Sequence, residues 1–369
     1  VHRAAKAGKK AEKKAEKKAG KTRRQPTVIS IRRLLLLPLL AVCVALVTQP
    51  GASAAPAPEK PKLSLAAAGV GFPYLPFVIA ESRGYFKQAG LDVEIGVFSG
   101  GAKALQAMLG GSADIVAGAY SNTITMAAKG QKLVSFVTLA SCPGWVFGVT
   151  RASHDKVKTY ADLKGKRIGV SSPGSSFHMG VNYLLNRAGL KPGDVSIIGV
   201  GSSAGAIAAA RSGQIDALMS NDPVATVLQG SGDLFPLAVM RDPAGTRATL
   251  GGDYPEASVY TTREFAAKYP NTVQAVTNAI LEAERWMAQA TPEQVVAAVP
   301  PQYALADKDV FTRAYGNMQS CISRDGLMTD AAAHTVRDVL AAFDPDIGKA
   351  SIDLKATYDN RFVENANKH

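Results

Sequence analysis

The chain has 369 residues, with 42 Lys+Arg against 30 Asp+Glu and a net charge of +12. Residues 1–54 hold 13 of the basic side chains and two acidic ones (Glu12 and Glu16), which leaves 29 basic against 28 acidic and a net of +1 for residues 55–369. A near-neutral body gives no electrostatic case for a nucleic-acid partner, and about 300 residues can build two hydrophobic cores.

The basic run from Lys6 to Arg33 leads into LLLLPLLAVCVALV, Leu34 to Val47, a stretch of 14 uncharged residues. A spanning helix needs about 20 apolar residues. A basic start, a short apolar stretch and the small-x-small site at Ala52–Ala54 together predict a signal peptide over 1–54, cleaved near Ala54, and export to the periplasm. An uncleaved membrane anchor is the alternative. Arg32-Arg33 is compatible with twin-arginine export and equally with any basic leader, and Cys43 follows Val42 where a lipid-attachment site wants a small residue. Residues 55–62, APAPEKPK, are expected to form a Pro-rich linker. Beyond it, Cys142 and Cys321 remain. An oxidising compartment permits their pairing, but spacing does not show that they meet. Two thiols without a histidine cluster make a poor metal site, and the sequence suggests no cofactor.

From Leu63 onward the chain carries a weak internal duplication. The first copy runs strand (Leu63–Ala67), loop (AGVGFPY), helix (about Leu75–Arg83), AGL, strand (Asp92–Phe98), SGG, helix, GGSAD and the strand IVAGAY. The second runs strand (Arg167–Val170), SSPGSS, helix (Phe177–Arg187), AGL, VSIIGV, GSSAG, a helix of small residues, GQID and the strand ALMS. Gly111-x-x-Asp114 falls on Gly213-x-x-Asp216, and Ser99-Gly100 on Gly201-Ser202. Each copy is a β-loop-α-β-loop-α-β unit, which predicts an α/β fold of two similar lobes, each a mostly parallel sheet flanked by helices, with a cleft between them. The expected division is lobe 1 over 63–146, lobe 2 over 147–240, and a return crossover with helical completion of lobe 1 over 241–369. Trp145 to Lys164 is expected to cross to the second lobe. Thr261–Glu264 and Thr291–Gln294 are capping-box patterns.

Ligands of parallel α/β sheets bind beyond the carboxyl ends of the strands, where these small-residue turns lie. Helix N-termini there offer free N–H groups and partial positive charge, and Gly and Ser let backbone and hydroxyls approach a ligand. The candidate ligand-binding residues are therefore Gly69, Phe72, Tyr74, Ser99, Gly100, Tyr120, Ser121 and Asn122 from the first copy. Ser171, Ser175, Ser176, His178, Ser202, Asn221 and Asp222 come from the second. Phe72 and Tyr74 can stack on a ligand or pad the turn, and Trp145 reads as core. Asp222 suits a ligand with an amine, or simply bonds local N–H groups as Asp does in turns. One such turn alone is an ordinary βα connection with an N-cap serine; several facing one crevice make a binding site.

The segments YLPFVIAESRGYFKQAGLDVEI, GG before KALQAML, GGSADIV, LKGKRIGVSSPGSS and GQIDALMSNDP resemble the nitrate/sulfonate/taurine-type substrate-binding proteins of ABC importers over residues 63–290. The resemblance implies a two-lobed type II periplasmic binding fold that closes on a small solute such as a sulfonate, taurine, nitrate or a thiamin-precursor pyrimidine. It also implies a monomer that delivers its solute to a membrane permease driven by a separate ATPase, without enzymatic activity. A secreted serine hydrolase is the rival: GSSAG, Gly201 to Gly205, has the G-x-S-x-G form with Ser203 as nucleophile. Its partners are poor, since His334 and His369 are the downstream histidines. A ligand sensor would share the fold.

Overall fold

Strand patterning places ten short strands in two five-stranded sheets. The first holds β1 (Lys62–Ala67), β2 (Asp92–Val97), β3 (Ile115–Ala119), β4 (Leu133–Thr138) and β10 (Ala257–Thr262), in the order β2-β1-β3-β10-β4. The second holds β5 (Trp145–Thr150), β6 (Arg167–Val170), β7 (Ser196–Gly199), β8 (Ala217–Ser220) and β9 (Leu234–Met240), in the order β7-β6-β8-β5-β9. Sequence explains the placement: the unbroken apolar run of β3 is buried on both faces, whereas β2 carries Asp92 and Glu94 and lies at an edge. The computed structural model describes residues 56–303 and 307–368. The predicted leader, with Arg32-Arg33, Cys43 and Ala52–Ala54, lies outside the described residues, as does His369. Among the described residues no helix is long and apolar enough to cross a membrane.

The two predicted lobes are present, and their sheets are mixed. Each has three parallel strands (β2-β1-β3 and β7-β6-β8), then an antiparallel strand, then an edge strand. The antiparallel strand comes directly from a crossing between lobes: β5 opens the second lobe's part of the chain, and β10 returns to the first sheet between β3 and β4. The first crossing is therefore 139–144, and Trp145 and Val146 already belong to the second sheet rather than to a crossing segment or to lobe 1. The expected linker is also shorter than its proline content suggests. Glu59 accepts hydrogen bonds from the backbone of Asn271 (2.9 Å) and Thr272 (2.8 Å) at the start of the helix Pro270–Gln289, Lys60 pairs with Asp114, and Lys62 begins β1.

The C-terminal helices do more than complete lobe 1. The helix Asp330–Ala341 sets Ala333, Val336, Val339 and Leu340 in one core with Phe177, Val181 and Leu184 of lobe 2 and with Tyr120 and Ile124 of lobe 1. Asn317 of the helix Lys308–Met318 donates to Thr226 in lobe 2 at 3.1 Å. Behind β5, Trp145 is fully buried and lies against the helix Ser176–Arg187, where a Cβ at Gly180 would come within 2.6 Å of its ring.

Two features brace the junction. Cys142 and Cys321 form a disulfide that joins the first crossing to the segment after the helix Lys308–Met318, and Ser141 and Ser323 add backbone bonds to Cys321 (2.8 Å) and Leu139 (3.0 Å). The second is Asp222, fully buried, which faces Arg241 at the start of the return crossing: Nε lies 3.0 Å from Oδ2 and Nη2 donates to Oδ1 at 3.1 Å. Burial raises the Asp222 carboxyl above its usual range, and the Arg241 charge opposes that rise. The backbone N–H of Thr226 adds a bond to Oδ1 at 2.9 Å, and the Asp222 carbonyl accepts from the Phe72 N–H of lobe 1 at 3.1 Å.

Closing a 179-residue separation with one disulfide is worth roughly 2–4 kcal/mol. Cys142→Ser is expected to lower unfolding free energy in urea by about that amount, with wild type and variant converging once reductant is added. Asp222→Ala leaves a buried guanidinium unpaired and is expected to cost about 3–5 kcal/mol of stability; combining it with Arg241→Met should recover most of the loss in the same denaturation assay.

Candidate functional site

Six turns follow the carboxyl ends of the six parallel strands, and those after β1 and β2 of lobe 1 approach those after β6, β7 and β8 of lobe 2. From lobe 1 come the turns after β1, β2 and β3; from lobe 2, those after β6, β7 and β8. A Cβ at Gly69 would stand 3.1 Å from the Ser202 hydroxyl, one at Gly71 2.6 Å from the Asn221 amide, and one at Gly100 2.5 Å from the Ser172 hydroxyl, with Ser171 at 3.3 Å. A side chain at any of the three would require the facing serine or asparagine to shift or the turns to part. Gly100 also has φ +154°, a conformation that L side chains rarely adopt.

Ser175 caps the helix Ser176–Arg187, accepting from the His178 N–H, and Ser176, the first residue of that helix, donates to Glu256 at 2.5 Å. Glu256 immediately precedes β10, and its carbonyl is fixed by the Tyr120 N–H at 2.8 Å. Its side chain is 2 % exposed. Burial pushes the carboxyl up to about 7, while the Ser176 bond pulls it down. Three phenols surround it. The hydroxyls of Tyr74, Tyr254 and Tyr260 are raised by burial and then by the Glu256 charge, and Tyr254 also faces Ser121. Asn122 donates to the Tyr260 hydroxyl at 2.9 Å. Among the described residues, Glu256 Oε2 and the Ser172 hydroxyl are buried without a hydrogen-bond partner. Buried polar atoms are rarely left so, and both lie where the lobes face each other.

Several expected ligand contacts have other work. Phe72 is fully buried, with its ring edge-on to Phe311 at 4.7 Å and Tyr315 at 6.0 Å; it packs the first core and does not stack on a ligand. Tyr120 turns away from the gap and bonds Thr357 at 2.6 Å. Asp222 faces the guanidinium of Arg241, a cation that the protein itself supplies. His178 braces the turn: the Gly174 N–H donates to Nδ1 at 3.0 Å, which puts the ring proton of the neutral imidazole on Nε2. Desolvation lowers its pKa and favours this neutral form. Ser99 is exposed. Gly69, Tyr74, Gly100, Ser121, Asn122, Ser171, Ser175, Ser176, Ser202 and Asn221 lie in or against the inter-lobe turns. Ser203 makes no hydrogen bond to a histidine among the described residues, which leaves the hydrolase reading without a base.

Glu256 is the residue that sequence reasoning missed. The available signal was YPEASVY, one carboxylate set between tyrosines in an otherwise apolar approach to a strand.

Comparison with known proteins agrees with this architecture. A solved structure from Bordetella bronchiseptica RB50 is 43% identical, covers 84% of this chain and 98% of its own, and superposes with a TM-score of 0.82. The alkanesulfonate-binding protein SsuA from Xanthomonas axonopodis pv. citri, solved with MOPS bound, is 20% identical, covers 84% of this chain and all of its own, and has a TM-score of 0.65, a likeness of fold. A Bacillus subtilis (strain 168) protein with a binding-protein name, YtlA, is 25% identical over 241 residues, 64% of this chain and 70% of its own length. The family model described as NMT1/THI5 like matches residues 72–295, more than half of the chain, and the chain therefore belongs to the NMT1/THI5-like family.

Proposed function

We propose that this chain is the solute-binding component of an ABC importer: an exported monomer, without enzymatic activity, that closes its two lobes on a small nitrogen- or sulfur-containing solute. It presents the closed form to a membrane permease driven by a separate ATPase. The observation that carries the reading is the approach of strand-end turns from both lobes, those after β1 and β2 to those after β6, β7 and β8, beside the Ser176–Glu256 bond between the lobes. The binding-protein names of its relatives support it.

Solute and closure are linked by simple thermodynamics. Only the closed arrangement brings both sets of turns to the solute, so binding energy shifts the population toward closure. A micromolar affinity corresponds to about −8 kcal/mol, within reach of several hydrogen bonds and one charged contact in a dry gap. Closure needs the glycine contacts, and Gly71 has an ordinary backbone conformation (φ −63°), so its replacement acts through bulk alone.

Small-angle scattering on the purified protein, with and without the solute extracted from it, tests the reading. The radius of gyration is expected to fall on adding solute. Gly71→Ala is expected to keep the melting temperature within a few degrees, to hold the lobes apart, and to weaken calorimetric affinity about tenfold or more. A protein whose dimensions and heat of mixing respond to no extracted small molecule would not be a solute receptor.

A further inference from the structure

We propose that Glu256 is the recognition group for the solute, and that the solute presents it with a cationic or N–H-rich nitrogen group, such as an ammonium, an amidinium or an amino-heterocycle, rather than a sulfonate or a nitrate. This rests on the solute-binding reading above and names the chemistry of the same gap.

Two carboxylates are buried where the lobes meet, and they differ in one respect. Asp222 has Arg241 beside it. Glu256 has a hydroxyl from Ser176 on one oxygen and no partner on the other among the described residues. Ser176 from the second lobe's helix bonds it, and Tyr74 from the turn after β1, Tyr254 from the return crossing and Tyr260 from β10 are near enough to feel its charge. None of these carries a positive charge. A buried carboxylate without a full counter-charge is costly, and the N-terminal end of the helix Ser176–Arg187 offsets only part of that cost. A solute that brings the cation supplies the missing partner, in surroundings rich in aromatic rings that also suit a cation.

The same carboxyl discriminates against anions. Ser176 opens a 12-residue helix whose N-terminal end would otherwise attract negative charge, and Glu256 already occupies that approach. Burial of an acid is not by itself the argument. Glu284 is just as buried, with both oxygens unpartnered, but it lies on the helix Pro270–Gln289 and faces Ser323 and Asp325, away from every turn of the gap.

Ionisation adds a directional consequence. Burial holds the carboxyl near 7 in the closed form, so below that pH it is protonated and neutral, and above it the closed, empty protein carries an uncompensated charge. A solute of fixed positive charge binds the ionised form, so its affinity should fall as pH is lowered through the range in which the carboxyl of the free protein takes up its proton.

Calorimetry and scattering on the purified protein test this with two sets of probes: putrescine, benzamidine and 4-aminopyrimidine as nitrogen donors, nitrate and ethanesulfonate as anions. At least one donor is expected to bind and close the lobes. Glu256→Gln should weaken it at least tenfold and remove the pH dependence of putrescine binding while the melting curve stays cooperative, and Glu256→Asp should keep the preference for donors over anions. Equal donor affinity in wild type and Glu256→Gln, closure by an anion, or silence from all three donors would each overturn the assignment. Closure by an anion would do so while leaving the solute-binding reading intact; a protein closed by no solute at all, extracted or added, would fail both.

Discussion

β10 hydrogen-bonds antiparallel between β3 and β4, although the whole second sheet lies between β4 and β10 in sequence. β5 makes the reciprocal insertion beside β8 in the second sheet. Neither sheet can be finished until the chain has crossed between lobes, so at least two crossings are built into the hydrogen-bond ladder itself. The parallel strands of both sheets then end toward a single gap, which is where α/β proteins place their ligands. Glu256 owes its position to this ladder: it is the residue before β10, pinned by the Tyr120 N–H, and it is delivered to the gap whenever β10 is in register.

Much of this was legible in the sequence because duplication is a pattern, and patterns survive without coordinates. The repeated AGL, the Gly-x-x-Asp pairs and the small-residue turns fixed six of the ten strands and the side of the sheets on which a ligand would lie. The antiparallel strands were less legible: ASVYTT falls inside the stretch expected to be a return crossover and helices, and so short a run shows neither that it joins the first sheet nor which way its neighbours run. The disulfide was similarly out of reach: Cys142 and Cys321 are brought together by the route of the crossings, which no local spacing encodes.

The site was read less well than the fold, for a physical reason. Turn composition identifies where backbone and hydroxyls can approach a ligand, and Gly69, Gly100, Ser176 and Ser202, named that way, lie where the lobes approach each other. Side chains with several possible partners cannot be assigned by composition. Phe72 and Tyr120 sit in the right turns and point into cores, and Asp222 finds an arginine 19 residues away. The decisive property of Glu256 is the lack of a cation opposite it, and a missing partner becomes visible only once all neighbours are placed.

Gly180 gives the recognition turn a mechanical identity. Because it carries no side chain, the helix that begins at Ser176 can rest directly on the ring of Trp145, the first residue past the 139–144 crossing. Strand, indole and helix then behave as one stiff bracket. A swivel at the crossing would carry that helix with it, and with the helix the serine that bonds Glu256.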